Sequence, residues 1–236
     1  MVKATPKPKT AFNARSTFVL GISLGSQSHE GGSLAAIVSA INDGSFSKGV
    51  IDLSDTLKRY KFMADGMDGA SAAKRAKAEG DAWLARNRFL LDRLEVKELD
   101  IRRWDEWLAH PHYAHTRQLF ERIFTSCEVL RDAVDRDIRG FYARAYGESE
   151  DIAPQAYELS RQFFLEELAA HSLLYTKYNA VNVYPGKQLE CFKVIRQGLV
   201  PDAPQALVSS PYAKLVMHSF EHARTKHPFQ PSQAVA

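Results

Sequence analysis

Thr17-Phe18-Val19-Leu20-Gly21-Ile22-Ser23-Leu24-Gly25-Ser26 is the stretch that decides how this chain folds. Residues 17–23 form a short apolar, partly β-branched run bounded by small residues, which is the pattern of a buried strand. Gly21 and Gly25 flank Ser23, so the backbone can turn sharply at the strand end and hold a hydroxyl above the carboxyl edge of a sheet, where α/β folds build their sites. Read alone, residues 21–25 also spell G-x-S-x-G, the nucleophile-elbow pattern of serine esterases, a match that five residues often give by chance.

Downstream, the Gly/Ser-rich segment 25–33 leads into a helical stretch at 34–41, a second buried strand is expected at 49–53, and 70–94 reads as a long helix. Strand, helix, strand at the start of a chain implies a parallel sheet. Residues 98–102 are read as a third strand. Helical periodicity then dominates 104–108, 113–146 and 154–175, with a late strand at 181–184 closed by Pro185 and Gly186, a helix at 187–195 and a short strand at 207–210. One domain over 16–225 is expected, between a mobile basic tail at 1–15 and a mobile tail at 226–236.

The 236 residues are 45% hydrophobic and 25% charged with a net charge of +3, ordinary values for a soluble domain and too mildly basic to identify a polyanion binder by themselves. No apolar run is long enough to span a bilayer. A basic segment followed by apolar 18–24 superficially resembles a secretory signal, but the interrupting glycines and Ser23 favour a first strand. Cys127 and Cys191 are too few for a disulfide framework and lack metal-ligand spacing, so a cytoplasmic setting and small buried roles are expected. The histidine-rich run His110-Pro111-His112-Tyr113-Ala114-His115 is broken by proline and completed by no carboxylate or cysteine, so a surface helix start is expected and no metal.

An esterase would need strands ahead of its elbow and a late histidine. Nothing upstream supplies the strands, and His218 and His222 fall on a stretch, 210–224, that reads as helical. The glycine spacing after the first strand does not give G-x-G-x-x-G, which argues against a dinucleotide fold.

Residues 18–26 resemble the first signature of the tRNA-dependent cyclodipeptide synthases, in which a catalytic serine follows Gly-Ile or Gly-Val on the first strand. Val183-Tyr184-Pro185 resembles the tyrosine-bearing strand end of that family, and Ser26 with Pro185 resembles its Tyr-Pro subgroup rather than the one carrying asparagine and Tyr-His. Phe163-Phe164-Leu165-Glu166-Glu167-Leu168-Ala169 is similar to the family helix with a tyrosine four residues before a catalytic glutamate. That assigns Glu167, with Glu166 as rival, and puts Phe163 where the tyrosine would stand. Lys187 occupies a position that is acidic in some members.

The resemblance, over about residues 17–212, implies a Rossmann-like α/β fold, a parallel sheet flanked by helices and akin to the catalytic domain of class I aminoacyl-tRNA synthetases. It implies an aminoacyltransferase that makes a cyclic dipeptide from two aminoacyl-tRNAs, with Ser23, Glu167 and Tyr184 catalytic and no cofactor. Val19, Gly21, Ser26, Phe163 and Pro185 would contact substrate, and Lys74, Arg75, Lys77, Arg86 and Arg88 on the long helix would face the first tRNA. A monomer is expected. A serine esterase and a noncatalytic RNA-binding module are the alternatives.

Overall fold

The computed structural model describes residues 2–147 and 152–219. In chain order these form β1 (Val2–Lys7), α1 (Lys9–Phe12), β2 (Thr17–Ile22), α2 (Gly31–Asn42), β3 (Lys48–Leu53), α3 (Arg59–Ala64), α4 (Gly69–Leu91), β4 (Glu98–Arg103), α5 (Trp104–Leu108), α6 (Tyr113–Ser126), α7 (Glu128–Tyr146), α8 (Pro154–Tyr178), β5 (Val181–Tyr184), α9 (Glu190–Arg196), α10 (Gln205–Val208) and β6 (Tyr212–Ser219). The six strands make one sheet in the order β1-β6-β5-β2-β3-β4. All neighbours are parallel except β1 with β6, so the protein is α/β with helices covering both faces of the sheet.

The period of two along β2 separates two cores. Phe18, Leu20 and Ile22 point to one face and pack with Leu34, Ile37 and Ile41 of α2 and Trp83 of α4. Val19 points to the other and packs with Leu130, Val134, Leu165 and Leu168 from α7 and α8. Gly21 and Ser23 continue the Val19 side, so alternation alone delivers the serine to the face beneath α8. The chain runs from β2 outward through β3 and β4, then returns to β5 on the other flank of β2. The carboxyl ends of β2 and β5 are therefore the topological switch point, where such sheets bind ligands.

Asp68 starts α4 by accepting from the amides of Ala70 and Ser71 at 3.1 and 3.0 Å. Pro154 opens α8 and Asn179, in the left-handed region at φ 45°, ends it. The single helical region expected at 113–146 is two helices that break at Cys127, whose backbone is extended. Cys127 is accordingly half-buried, whereas Cys191 is buried as expected. Among the described residues no helix is long and apolar enough to cross a membrane.

Three expectations are corrected. Residues 2–7, expected within a mobile tail, are β1, paired antiparallel from Val2 opposite Ser219 to Lys7 opposite Lys214. Phe12 is buried against Phe46 with ring centroids 4.9 Å apart. The prolines and lysines that suggested a tail are those an edge strand carries to discourage further pairing. Residues 205–208 are a helical turn, not a strand at 207–210. The stretch from 210 that reads as helical is β6, in which buried Ala213 and Leu215 flank exposed Lys214, a period of two that outweighs the 3.6 pattern. Residues 226–236 lie outside the described residues.

Candidate active site

Ser23 and Tyr184 stand at the ends of adjacent strands, and their hydroxyl oxygens are 3.0 Å apart. The turn that presents Ser23 is closed by the Ser26 amide donating to the Ser23 carbonyl at 3.2 Å, and Gly25 takes its third position at φ 85°, where a side chain would be strained. His29 fixes the same turn from behind. Its Nδ1 accepts from the Ser23 amide at 3.2 Å, its carbonyl accepts from Trp83 Nε1 at 3.0 Å, and its ring lies 5.4 Å from that of Tyr184. Burial lowers its pKa to about 4 despite the bond to Ser23, so the imidazole is neutral and its proton sits on Nε2. This histidine holds the serine backbone rather than its hydroxyl.

Adjacent positions on a helix point about 100° apart, and α8 shows the consequence at its two glutamates. Glu166 is buried among five donors: Arg59 Nη1 and Nη2 at 2.8 and 2.5 Å, Trp104 Nε1 at 2.8 Å, Tyr60 Oη at 2.9 Å and Tyr113 Oη at 3.2 Å. Burial and this carboxylate push the Tyr60 hydroxyl up to about 12, which keeps it a donor. Glu166 thus ties α3, α5 and α6 to α8. Glu166→Ala is expected to destabilise the fold by about 3–5 kcal/mol, because Arg59 would be left buried without its partner. Urea unfolding of the variant checks this, and a loss below about 1 kcal/mol would reduce the cluster to an ordinary surface pair.

Glu167 turns instead toward the cavity under Ser23. Its Oε2 is closed off from solvent and bonded to nothing. Burial raises its pKa to about 7; His171, one turn further on, pulls it down, and Asp137 and Asp52 push it up. His171 Nε2 approaches Asp52 Oδ2 to 3.3 Å without aligning as a hydrogen bond, while Asp52 Oδ1 accepts from Trp107 Nε1 at 2.8 Å. Burial also raises the pKa of Tyr184, against the opposing bond with Ser23, so its phenol stays protonated at neutral pH.

The cavity measures about 550 Å³, room for an amino-acid side chain and part of a nucleotide. Val19, Gly21, Ser23, Ser26, Phe163 and Tyr184 all line it. Pro185 does not line it and is buried at the strand end. The Phe163 ring meets Tyr60 and Phe164 edge-on.

The five basic residues of α4 are exposed, and four of them are ion-paired: Arg75 with Glu79, Lys77 with Asp105, Arg86 with Glu30 and Arg88 with Asp92. Lys74 is in no ion pair among the described residues. Exposed pairs of this kind hold by about 1 kcal/mol or less, so they can exchange for phosphates. His110 and His112 lie in the turn that leads into α6, with rings 5.6 Å apart. His218 is exposed on β6 opposite Lys3, away from Ser23, and His222 lies outside the described residues.

No protein-family model matches the sequence, and no curated protein matches it. In three dimensions the chain aligns with a cyclodipeptide synthase from Fluoribacter dumoffii at a TM-score of 0.82 and 23% identity, over 94% of this chain and 100% of that one. The fold is that of the cyclodipeptide synthases. A cyclodipeptide synthase from Candidatus Glomeribacter gigasporarum, bound to Phe-tRNAPhe, aligns at 0.66 and 17% identity, over 92% of this chain and 93% of that one. The tyrosyl-tRNA synthetase of Archaeoglobus fulgidus, complexed with L-tyrosine, aligns at 0.50 and 11%, over 89% of this chain and 59% of that one. The fold of this chain is thus also similar to that of a tRNA synthetase. Four residues escape sequence reasoning, since none lies in a motif: the fold brings His171, Tyr175 and Arg196 to the cavity and His29 to the back of the Ser23 turn.

Proposed function

We propose that this chain is a tRNA-dependent cyclodipeptide synthase of the Tyr-Pro subgroup, with Ser23 as its nucleophile. The observation that carries this reading is the Ser23–Tyr184 hydroxyl pair at the switch point, above a cavity that also receives the Glu167 carboxylate. An aminoacyl-tRNA is already an activated ester, so its transfer to a serine exchanges one ester for another and needs neither ATP nor a cofactor.

In the first step Ser23 Oγ attacks the aminoacyl carbonyl carbon. The bond to the ribose oxygen breaks, and the proton lost from Oγ ends on that oxygen as the uncharged tRNA leaves. Tyr184 is the group in contact with Oγ and, as a protonated phenol, can align it and pass the proton. Glu167 holds the α-ammonium of the bound residue. The amine of the seryl-bound residue then attacks the aminoacyl ester of a second aminoacyl-tRNA, whose ribose oxygen takes the proton and leaves as uncharged tRNA, giving a dipeptidyl-enzyme; the dipeptide's free amine finally attacks the seryl ester, closing the ring and returning a proton to Ser23 Oγ. Each amine must shed a proton before it attacks, and a carboxylate with a pKa near 7 is suited to accept it.

Gly21 contributes to specificity by what it lacks. A Cβ built there meets nothing within 4 Å and would project into the cavity. Gly21→Leu is expected to cut kcat/KM for a bulky first aminoacyl group by about 100-fold while sparing a small one, since the added side chain takes its space. Equal losses for both groups in a comparison of alanyl- and phenylalanyl-tRNA would remove Gly21 from the acyl pocket. Along the outer face, Lys74, Arg75, Lys77, Arg86 and Arg88 of α4 follow the phosphates of the first tRNA, with salt-dependent affinity as the consequence.

The test is to incubate the protein with a mixture of aminoacylated tRNAs and search by mass spectrometry for cyclic dipeptides and for an aminoacyl adduct on the intact protein. Cyclic products with a Ser23 adduct support the synthase. Free amino acid without cyclic product would replace it with a hydrolase, and tRNA binding without any reaction would replace it with an RNA-binding module.

A further inference from the structure

The floor of the cavity carries a cation with no counter-ion among the described residues. In the sheet register Val19 lies beside Asn182 and Asn182 beside Tyr212, and all three line the cavity. Val19 precedes Ser23 by four residues on the same face, so this row lies about 13 Å below the serine. Arg196 reaches it from the end of α9. Its Nε donates to the carbonyl and the hydroxyl of Ser210 at 2.9 and 3.1 Å, and its guanidinium lies over the rings of Tyr212 and Phe192 at 5.3 and 5.8 Å.

Among the described residues nothing answers its charge. Nη2 is closed off from solvent and bonded to nothing, and Arg196 makes no ion pair among the described residues. Tyr175, from α8, stands close enough to interact with it, and its buried Oη, like Nη2, has no well-aligned hydrogen-bond partner. The other cations lining the cavity are answered or solvated: Lys58 pairs with Glu79, Lys187 with Glu190, and Lys61 and Arg144 are exposed. A buried guanidinium without a partner is costly, and native proteins retain one where a ligand supplies the missing anion. Guanidinium and phenol together offer N–H and O–H donors, the set that recognises a carboxylate.

We infer that the Arg196–Tyr175 floor is a carboxylate subsite, and that the protein loads aminoacyl groups with acidic side chains, aspartyl or glutamyl, into this cavity. The inference rests on the proposed synthase activity and adds its substrate class. The charges match end to end: an acidic aminoacyl group presents an α-ammonium to Glu167 and a side-chain carboxylate to Arg196. A phosphate of the tRNA could supply the same negative charge, and the experiment separates the two sources.

Wild-type protein is offered a complete mixture of charged tRNAs, and its cyclic products are identified. Rates with glutamyl-, aspartyl- and leucyl-tRNA are then measured for wild type, Arg196→Leu, Arg196→Lys and Tyr175→Phe. Aspartate or glutamate is expected in the main product. Arg196→Leu is expected to lower kcat/KM for the acidic substrates by about 100-fold or more relative to leucyl-tRNA, with partial recovery in Arg196→Lys and a smaller selective loss in Tyr175→Phe. Wild-type products built only from neutral amino acids would overturn the subsite and leave the synthase standing. An equal loss on all three tRNAs would assign the anion to tRNA phosphate and overturn it too. Absence of any cyclic product would instead remove the synthase reading, and the subsite with it. If Arg196→Leu fails to fold, the wild-type product and Tyr175→Phe decide.

Discussion

Ser23→Ala is expected to abolish cyclic dipeptide formation, with kcat/KM falling by about four orders of magnitude or more, while affinity for charged tRNA is unchanged. The substitution is clean because the residue's structural duties belong to its backbone. The Ser23 amide donates to His29 and its carbonyl accepts from Ser26, and both bonds survive the loss of Oγ. Only the contact with Tyr184 disappears. The variant should therefore melt with wild type, and single-turnover assays should show neither an aminoacyl adduct nor product. Tyr184→Phe is the graded companion: it keeps the ring that packs near His29 and removes the hydroxyl, so a loss of about 10²–10⁴ is expected from alignment and proton transfer. A Ser23→Ala protein that still makes cyclic dipeptide would end the covalent mechanism.

The part of this site that could be read from the sequence is the part held by short-range rules. An apolar run ending in Gly-x-Ser-x-Gly specifies a strand and a turn, and the observed β2 and the positive φ of Gly25 follow from it. Tyr184-Pro185 marks a strand end, and β5 stops at Tyr184. Harder was the choice between Glu166 and Glu167, since both lie on a helix and periodicity does not say which side the cavity is on. The fold separates them by placing Arg59, Tyr60, Trp104 and Tyr113 around Glu166. Arg196 and Tyr175 are not legible for a different reason. An arginine after an apolar helix reads as solvated, and only its lack of an ion pair among the described residues, a property of tertiary packing, marks it out. β1 is not legible because an edge strand that protects itself with lysine and proline carries the composition of a loop.

Glu167→Gln is expected to move activity and stability in opposite directions, which separates a functional carboxylate from a structural one. Its carboxyl has a pKa of about 7 in the fold against 4.5 in an exposed group, chiefly because burial disfavours the charged form. The folded state therefore binds the proton more tightly than the unfolded chain, and stability falls as pH rises from about 4.5 to about 7. At about 1.4 kcal/mol per pKa unit, the cost above pH 7 is roughly 3 kcal/mol. Glutamine fills the same space without a charge to desolvate. The variant should thus gain several degrees in Tm at pH 8 and much less at pH 5, as thermal melts at the two values would show. Its kcat/KM should fall by about 10²–10⁴, because glutamine neither accepts a proton from the attacking amine nor pairs with an ammonium. The wild-type rate should rise with pH through a limb near 7 that the residual activity of the variant lacks. Glu166, whose carboxylate is already answered by five donors, should behave in the opposite sense, losing stability on replacement at either pH. A Glu167→Gln protein with wild-type activity and an unchanged pH dependence of melting would show that this carboxylate neither titrates near neutrality nor takes part in the reaction.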